Sequence, residues 1–172
     1  MTVRAARAED ESAIHGLHVR CVPDAFAGLA GDYVPPREQR VERERSWTGP
    51  IGAPHPRHAL LVAERGDRVV GFTAVGPTRD LDDDRQSTGE LRVLMVDADE
   101  RGAGIGSALL AAAAGAMRQG AFAVATLWVV PENARAIGLY RRAGWSADGA
   151  DRFGDFGGCE IRCVRYRKPL VP

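Results

Sequence analysis

Apolar and polar positions along the 172-residue chain change rhythm near its middle. Residues 2–6 predict a short strand. The acidic cluster Glu9, Asp10 and Glu11 then sits where a helix amino end favours negative charge. Ala13, Ile14, Leu17 and Val22 approximate helical spacing, which predicts a helix to about Cys21, ended by Pro23. Residues 58–64 and 68–77 are apolar runs around the turn Arg65-Gly66-Asp67 and predict a hairpin. After a polar turn over 81–86, residues 88–96 predict a third strand with Leu91, Val93 and Met95 on one face. The first half therefore predicts an antiparallel meander.

From residue 104 the period becomes helical. Ile105, Leu109, Ala112, Ala113 and Ala116 share a face, and Gly120 is the expected stop. Residues 122–130 predict a buried strand, so strand, helix and strand in that order imply a parallel pair joined by a crossover. A second helix is expected over 133–143, opened after Pro131 by the capping residue Asn133 and ended at Gly144. Residues 145–153 and 158–167 predict a closing hairpin. The least regular stretch, 23–56, holds six prolines and one polar helix placed at 36–47. The expected fold is α+β: a single domain over 1–172 in which a mixed sheet carries helices on its faces.

Composition narrows the function classes. Basic and acidic residues balance at 23 each, so neither a basic footprint for nucleic acid nor an acidic tail stands out. The longest low-polarity run, 108–117, falls well short of the roughly 20 residues that span a bilayer, and no membrane partner is expected. The amino terminus is charged, without a leader-like apolar run, and the cysteines Cys21, Cys159 and Cys163 are odd in number, which together suggest reduced thiols in the cytoplasm. His55 and His58, without cysteine or carboxylate neighbours, make a poor metal site, and no metal is expected.

The densest chemical signal is Arg101-Gly102-Ala103-Gly104-Ile105-Gly106, between a strand and the start of a helix. Alternate glycines let the backbone curl and aim several amides at one point, and the helix amino end adds partial positive charge, which suits a pyrophosphate. The spacing alone also suits a tight connection. A dinucleotide fold fits poorly, because its G-x-G-x-x-G follows the first strand and needs an acid about 20 residues on.

Those residues resemble the R/Q-x-x-G-x-G/A loop of the GNAT superfamily of N-acetyltransferases. Upstream, 90–96 (ELRVLMV) resembles the family's central strand; downstream, 133–145 (NARAIGLYRRAGW) resembles its second motif, N-x-x-A-x-x-x-Y-x-x-x-G-[FW]. The likeness covers about 88–145, with departures at Ala98, where many relatives carry proline, and at Met95, where tyrosine or alanine is frequent. It implies a central sheet of six to seven strands flanked by about four helices and splayed at the central strand. It also implies acetyl-coenzyme A (acetyl-CoA) as co-substrate. By carry-over, the backbone of Leu94, Met95 and Val96 would meet the pantetheine arm, and an amide near Val96 would polarise the thioester carbonyl. Arg101, Gly102, Ala103, Gly104, Ile105, Gly106 and Ser107 would hold the pyrophosphate, and Asn133 would bond the pantetheine. Tyr140, two helical turns after Asn133, would contact the cofactor sulfur and act as general acid, and Glu90, which opens the central strand, is the candidate base.

The implied activity is acetyl transfer to a primary amine of a small molecule by direct attack, with no enzyme nucleophile. Two alternatives stay open: acetylation of protein amino termini or lysines, and an acyl-CoA-binding module without turnover. A homodimer is compatible with the resemblance, and nothing in the chain shows one. Asp80, Asp82, Asp83 and Asp84 are expected either as a solvated turn or as a lure for a cationic amine. Tyr33, Trp47 and Trp128 are candidates for an acceptor pocket, with core packing the alternative for Trp128.

Overall fold

A computed structural model describes residues 1–25, 57–155 and 160–170. The strands are β1 (Thr2–Ala5), β2 (Ala59–Arg65), β3 (Arg68–Pro77), β4 (Thr88–Val96), β5 (Val124–Val129), β6 (Ser146–Asp155) and β7 (Glu160–Pro169). They form one sheet in the order β1-β2-β3-β4-β5-β7-β6. The first four pair antiparallel as a meander, β4 and β5 pair parallel, and β7 runs antiparallel between β5 and β6. The helices among the described residues are α1 (Glu11–Ala25), α2 (Ile105–Gln119) and α3 (Ala134–Arg142). The helix expected over 36–47, together with Tyr33, Trp47, His55 and Cys159, lies outside the described residues.

Each face of the sheet has its own core, because the strands of a sheet covered on both sides must bury both alternating sets of side chains. On one face, Ile14, Leu17 and Cys21 of α1 pack on Val62, Phe72 and Ala74, with Val93 and Met95 beside them. On the other, Ile105 and Leu109 of α2 meet Val70 and Ala63, while Leu110, Ala113 and Met117 join Leu91, Leu127, Tyr140 and Trp145.

Three local expectations change. Leu91 does not share a face with Val93 and Met95. The register passes from Ala74↔Val93 to Val75↔Leu91, so Arg92 is an extra residue in β4 and the alternation reverses phase there. Helix α1 continues through Pro23 to Ala25, where proline forfeits one bond, to the carbonyl of residue 19. Helix α2 stops at Gly120 as expected, but the left-handed residue that closes it is Ala121, at φ 58°, and not the glycine. The amide of Phe122 bonds the carbonyl of Met117 and that of Ala121 bonds Arg118, which satisfies the last carbonyls in the Schellman manner. Gly120 serves a different need: a Cβ there would stand 3.2 Å from Phe122 Cε2.

The acidic turn between β3 and β4 is held by arginines of the closing hairpin. Asp80 accepts Trp128 Nε1 at 3.0 Å and Arg152 Nη1 at 2.9 Å. Arg165 pairs with Asp82 at 2.9 Å and with Asp148 at 2.7 Å, and Arg167 pairs with Asp83 at 2.8 Å. These carboxylates are neither a simple solvated run nor free to lure a ligand. Trp128 is accounted for in the same way, with the guanidinium of Arg152 4.1 Å over its ring. At the opposite end of the sheet, Arg4 binds Asp10 at 2.7 Å and Glu64 at 2.9 Å, while Asp10 also accepts the Arg7 amide at 2.7 Å. The Arg4 guanidinium holds the Asp10 carboxyl below its usual range.

Ala121→Gly is expected to raise stability by about 0.5–1 kcal/mol, because it removes a left-handed alanine at the cost of backbone entropy; equilibrium denaturation measures it. Asp10→Asn is expected to cost about 2 kcal/mol at neutral pH. The native carboxyl titrates below its unfolded value, so its contribution is full above the unfolded pKa and is lost as pH falls through the native one. The gap between wild type and variant should therefore stay constant down to about pH 4 and close below it.

Candidate active site

The site grows from a break in the sheet. Strand β4 keeps its β3 partners to its end, with Thr73↔Leu94, Phe72↔Met95 and Gly71↔Val96. Its pairing with β5 stops at Leu91↔Leu127. Among the described residues the edge of β4 from Arg92 onward therefore pairs with no strand on the β5 side, which leaves its backbone groups available to an extended partner. Leu94, Met95 and Val96 all lie on this stretch.

Past Val96 the chain makes a short 3₁₀ turn, Ala98–Glu100, and enters the glycine loop. Arg101 folds back to donate Nε to the Val96 carbonyl at 3.3 Å, which ties the loop to the end of β4. Cys21 Sγ reaches the same carbonyl at 3.5 Å, and burial raises its thiol pKa. Gly102 and Gly104 take φ of 82° and 80°, a region that side chains rarely enter. Apart from its chain neighbours, no described residue lies within 4 Å of where a Cβ would stand on either glycine. Gly104 is the N-cap of α2 and has no side chain to cap with, so the first-turn amides of Ile105, Gly106 and Ser107 are left to other acceptors. Gly106 has a packing role as well, because a Cβ there would meet Leu139 Cδ2 of α3 at 3.3 Å.

Helix α3 carries the remaining predicted residues. Asn133 is its N-cap, with Oδ1 accepting the Ala136 amide at 3.0 Å, which leaves the side-chain NH₂ for another acceptor. At the far end Gly144, at φ 82°, closes a Schellman motif: the Trp145 amide bonds the Tyr140 carbonyl and the Gly144 amide bonds that of Arg141. The same motif brings the Trp145 ring onto the Tyr140 ring, centroids 6.3 Å apart. The glycine and the tryptophan that follow the tyrosine thus fix its position. Tyr140 is buried, and burial pushes its phenol pKa up to about 12, so the hydroxyl keeps its proton throughout the neutral range.

Glu90 lies one residue before Leu91 and so points to the α1 side of the sheet, away from the Tyr140 cluster. It is fully buried. Arg79 grips both of its oxygens, with Nη2 to Oε1 at 2.8 Å and Nε to Oε2 at 2.9 Å, and adds its backbone amide at 3.2 Å. The bonds from Glu90 raise the Arg79 pKa. Sequence inspection gave no signal for Arg79, because the partner of a strand-end carboxylate comes from a turn whose path is not periodic. A groove of about 300 Å³ between α2 and α3 also escaped it. Ser107, Ala111 and Ala114 line one side, Leu139, Arg142 and Ala143 the other, with Trp145 and Lys168 at the end. Small residues at positions 107, 111 and 114 were the available sign, since they form one stripe along a helix.

Comparison with known proteins fits this geometry. The family model described as "Acetyltransferase (GNAT) family" matches residues 23–145. The mycothiol acetyltransferase of Propionibacterium freudenreichii is 35% identical over 115 residues, which are 66% of this chain and 34% of that protein. The mycothiol acetyltransferase of Saccharomonospora viridis is 31% identical over 80% of this chain and 42% of its own length. The chain thus spans about a third of the length of the first of these relatives and two fifths of the second. Among solved structures, the ribosomal-protein-alanine N-acetyltransferase of Brucella melitensis superposes with a TM-score of 0.73 at 26% identity, covering 98% of this chain and 99% of that one. The YncA protein of Salmonella typhimurium, solved with its cofactor acetyl-CoA, superposes with a TM-score of 0.73 at 23% identity over 100% of this chain and 95% of that one. By the strand order, the break beside β4 and the family match over most of its length, this chain belongs to the GNAT acetyltransferase family.

Proposed function

We propose that the protein is an N-acetyltransferase that passes the acetyl group of acetyl-CoA directly to a primary amine of a small molecule. The observation that carries this is the combination of an unpaired β4 edge with the glycine loop at its end. An extended pantetheine arm needs a row of backbone partners, and a pyrophosphate needs converging amides. The residues fit the co-substrate: Leu94, Met95 and Val96 offer backbone to the arm, residues 101–107 offer amides and the Ser107 hydroxyl to the pyrophosphate, and Asn133 offers its NH₂. The groove beside Ser107 is lined by the cations Arg142 and Lys168, suited to the nucleotide end.

Acetyl-CoA supplies the activated thioester. Tyr140, protonated at neutral pH, gives its proton to the sulfur as the carbon–sulfur bond breaks. An amide near Val96 stabilises the oxyanion that forms at the thioester carbonyl. Glu90 receives the proton that the attacking ammonium must lose, directly or through water, once Arg79 yields one of its bonds. The two groups stand on opposite faces of the sheet, which suits them to opposite ends of the reaction.

Acetylation of a protein amino terminus is the second reading, favoured by the full-length superposition on the Brucella melitensis enzyme. Free-thiol release from acetyl-CoA over a panel of small amines and amino-terminal peptides separates the two. In that assay Tyr140→Phe is expected to lower turnover by on the order of a hundredfold, with coenzyme A affinity nearly unchanged; full turnover would remove the acid role.

Gly104→Leu tests the loop against Gly66→Leu, a hairpin-tip glycine at φ 59° with equally open surroundings. Both substitutions are expected to cost about 1–2 kcal/mol of backbone strain. Only Gly104→Leu is expected to lose coenzyme A affinity, by at least about tenfold in calorimetric titration. Equal affinities would place the pyrophosphate elsewhere.

A further inference from the structure

Among the described residues, Arg79 and Arg92 lie on the face of the sheet that carries Glu90, and only the first of them bonds that carboxylate. Arg79 closes on Glu90 with its side chain and its own amide. Arg92, the bulged residue two positions along β4, has no carboxylate partner among the described residues. Its Nη2 donates to the Pro77 carbonyl at 3.1 Å, and its Nη1 lies 3.5 Å from Nδ1 of the His58 ring. Its Nε is buried with no acceptor. Gly76 makes room for it, since a Cβ at that position would stand 2.7 Å from Nη2. The neighbouring acid Asp80 does not restore the balance, because Trp128, Arg152 and Arg165 bind its carboxylate.

Two guanidiniums thus flank one carboxylate, itself engaged. Burial lowers the Arg92 pKa and the nearby Arg79 charge lowers it further, as expected for a cation short of a counter-ion. Burying a cation without a carboxylate beside it costs stability, and an anion bound near the guanidinium offsets part of that cost. The placement suits a substrate. Arg92 is the first residue past the last β4–β5 pair, so it borders the opening between the strands. Arg79 remains 43% exposed and so accessible from solvent.

We propose that Arg79 and Arg92 form a subsite for a carboxylate on the acceptor, so that the preferred substrate is an amine bearing an acid group. Among the described residues the cations Arg79, Arg85 and Arg92 outweigh the Glu90 carboxylate, which favours an anionic ligand. Planar, two-point pairing with guanidinium is also what a carboxylate offers. The anion has a second consequence: by drawing on Arg79 it loosens the grip on Glu90 and frees that carboxylate to take the amine proton.

The proposal rests on the acetyltransferase assignment, and its test separates the two. L-amino acids and their matching primary amides are compared in thiol release with acetyl-CoA, using wild type, Arg92→Gln and Arg92→Lys. Coenzyme A affinity of each variant reports on folding. The expected result is an acid preferred over its amide by about tenfold or more in kcat/KM, chiefly through KM. That ratio should fall towards one in Arg92→Gln and be partly restored in Arg92→Lys. An amide that matches or beats its acid, or a preference that survives Arg92→Gln, overturns the subsite. If coenzyme A binds and no amine in either series releases thiol, small-amine transfer fails, and the subsite is judged by thermal stabilisation of the coenzyme A-loaded protein. Stabilisation by acids and not by amides then supports it, and none overturns it.

Discussion

Everything at the site follows from the extra residue in β4. A strand in the middle of a sheet is bonded on both edges, and leaving one edge open costs free energy unless something else pairs with it. Here Arg92 is inserted opposite the Ala74–Val75 step, the strand bends, and pairing with β5 ends one residue earlier at Leu91. The same insertion reverses the alternation, so that Val93 and Met95 pack under α1 while Leu91 and Leu94 face α2. One bulge therefore opens the backbone edge, redistributes four core side chains and turns Arg92 towards Gly76.

The rest of the fold holds the two sides of that opening still. On one side, the Schellman motif after α3 clamps Tyr140 between its own helix and Trp145, so the hydroxyl is set by backbone geometry rather than by a flexible loop. On the other, the turn that presents Arg79 to Glu90 is anchored one residue on, where Asp80 binds Trp128 of β5 and Arg152 of β6. The hairpin β6–β7 thereby reaches across β5 to fix the surroundings of a residue on β4. This anchoring survives exposure because it is a network with bidentate members rather than a set of single surface pairs, which contribute little.

The charges of this face mark a division of labour that the balanced composition hides. Twenty-three acidic and twenty-three basic residues sum to zero over the chain, yet the balance is met locally at the Asp80 network while Arg92 has no carboxylate partner among the described residues. Net charge says nothing about such partition, because pairing is decided at distances of a few ångströms and composition averages over the whole molecule.

The sequence by itself determined the strands and helices, their order and the glycine loop, because these are written in local periods and in residues with special backbone freedom. The bounds of β3 and β4, the cap at Asn133 and the stop at Gly144 could be read directly, each depending on neighbours within a few positions. It also carried the family likeness, through spaced residues that follow from the same local geometry. Only the tertiary structure decided that β4 carries a bulge, that Glu90 is held by Arg79, that the Asp80 turn is bound to the closing hairpin and that Arg92 has no carboxylate partner among the described residues. Each of these is a relation between residues far apart in the chain or a count across a ladder, and a single strand cannot show which residue of its partner it skips. Periodicity records which side a residue faces; it does not record what waits there.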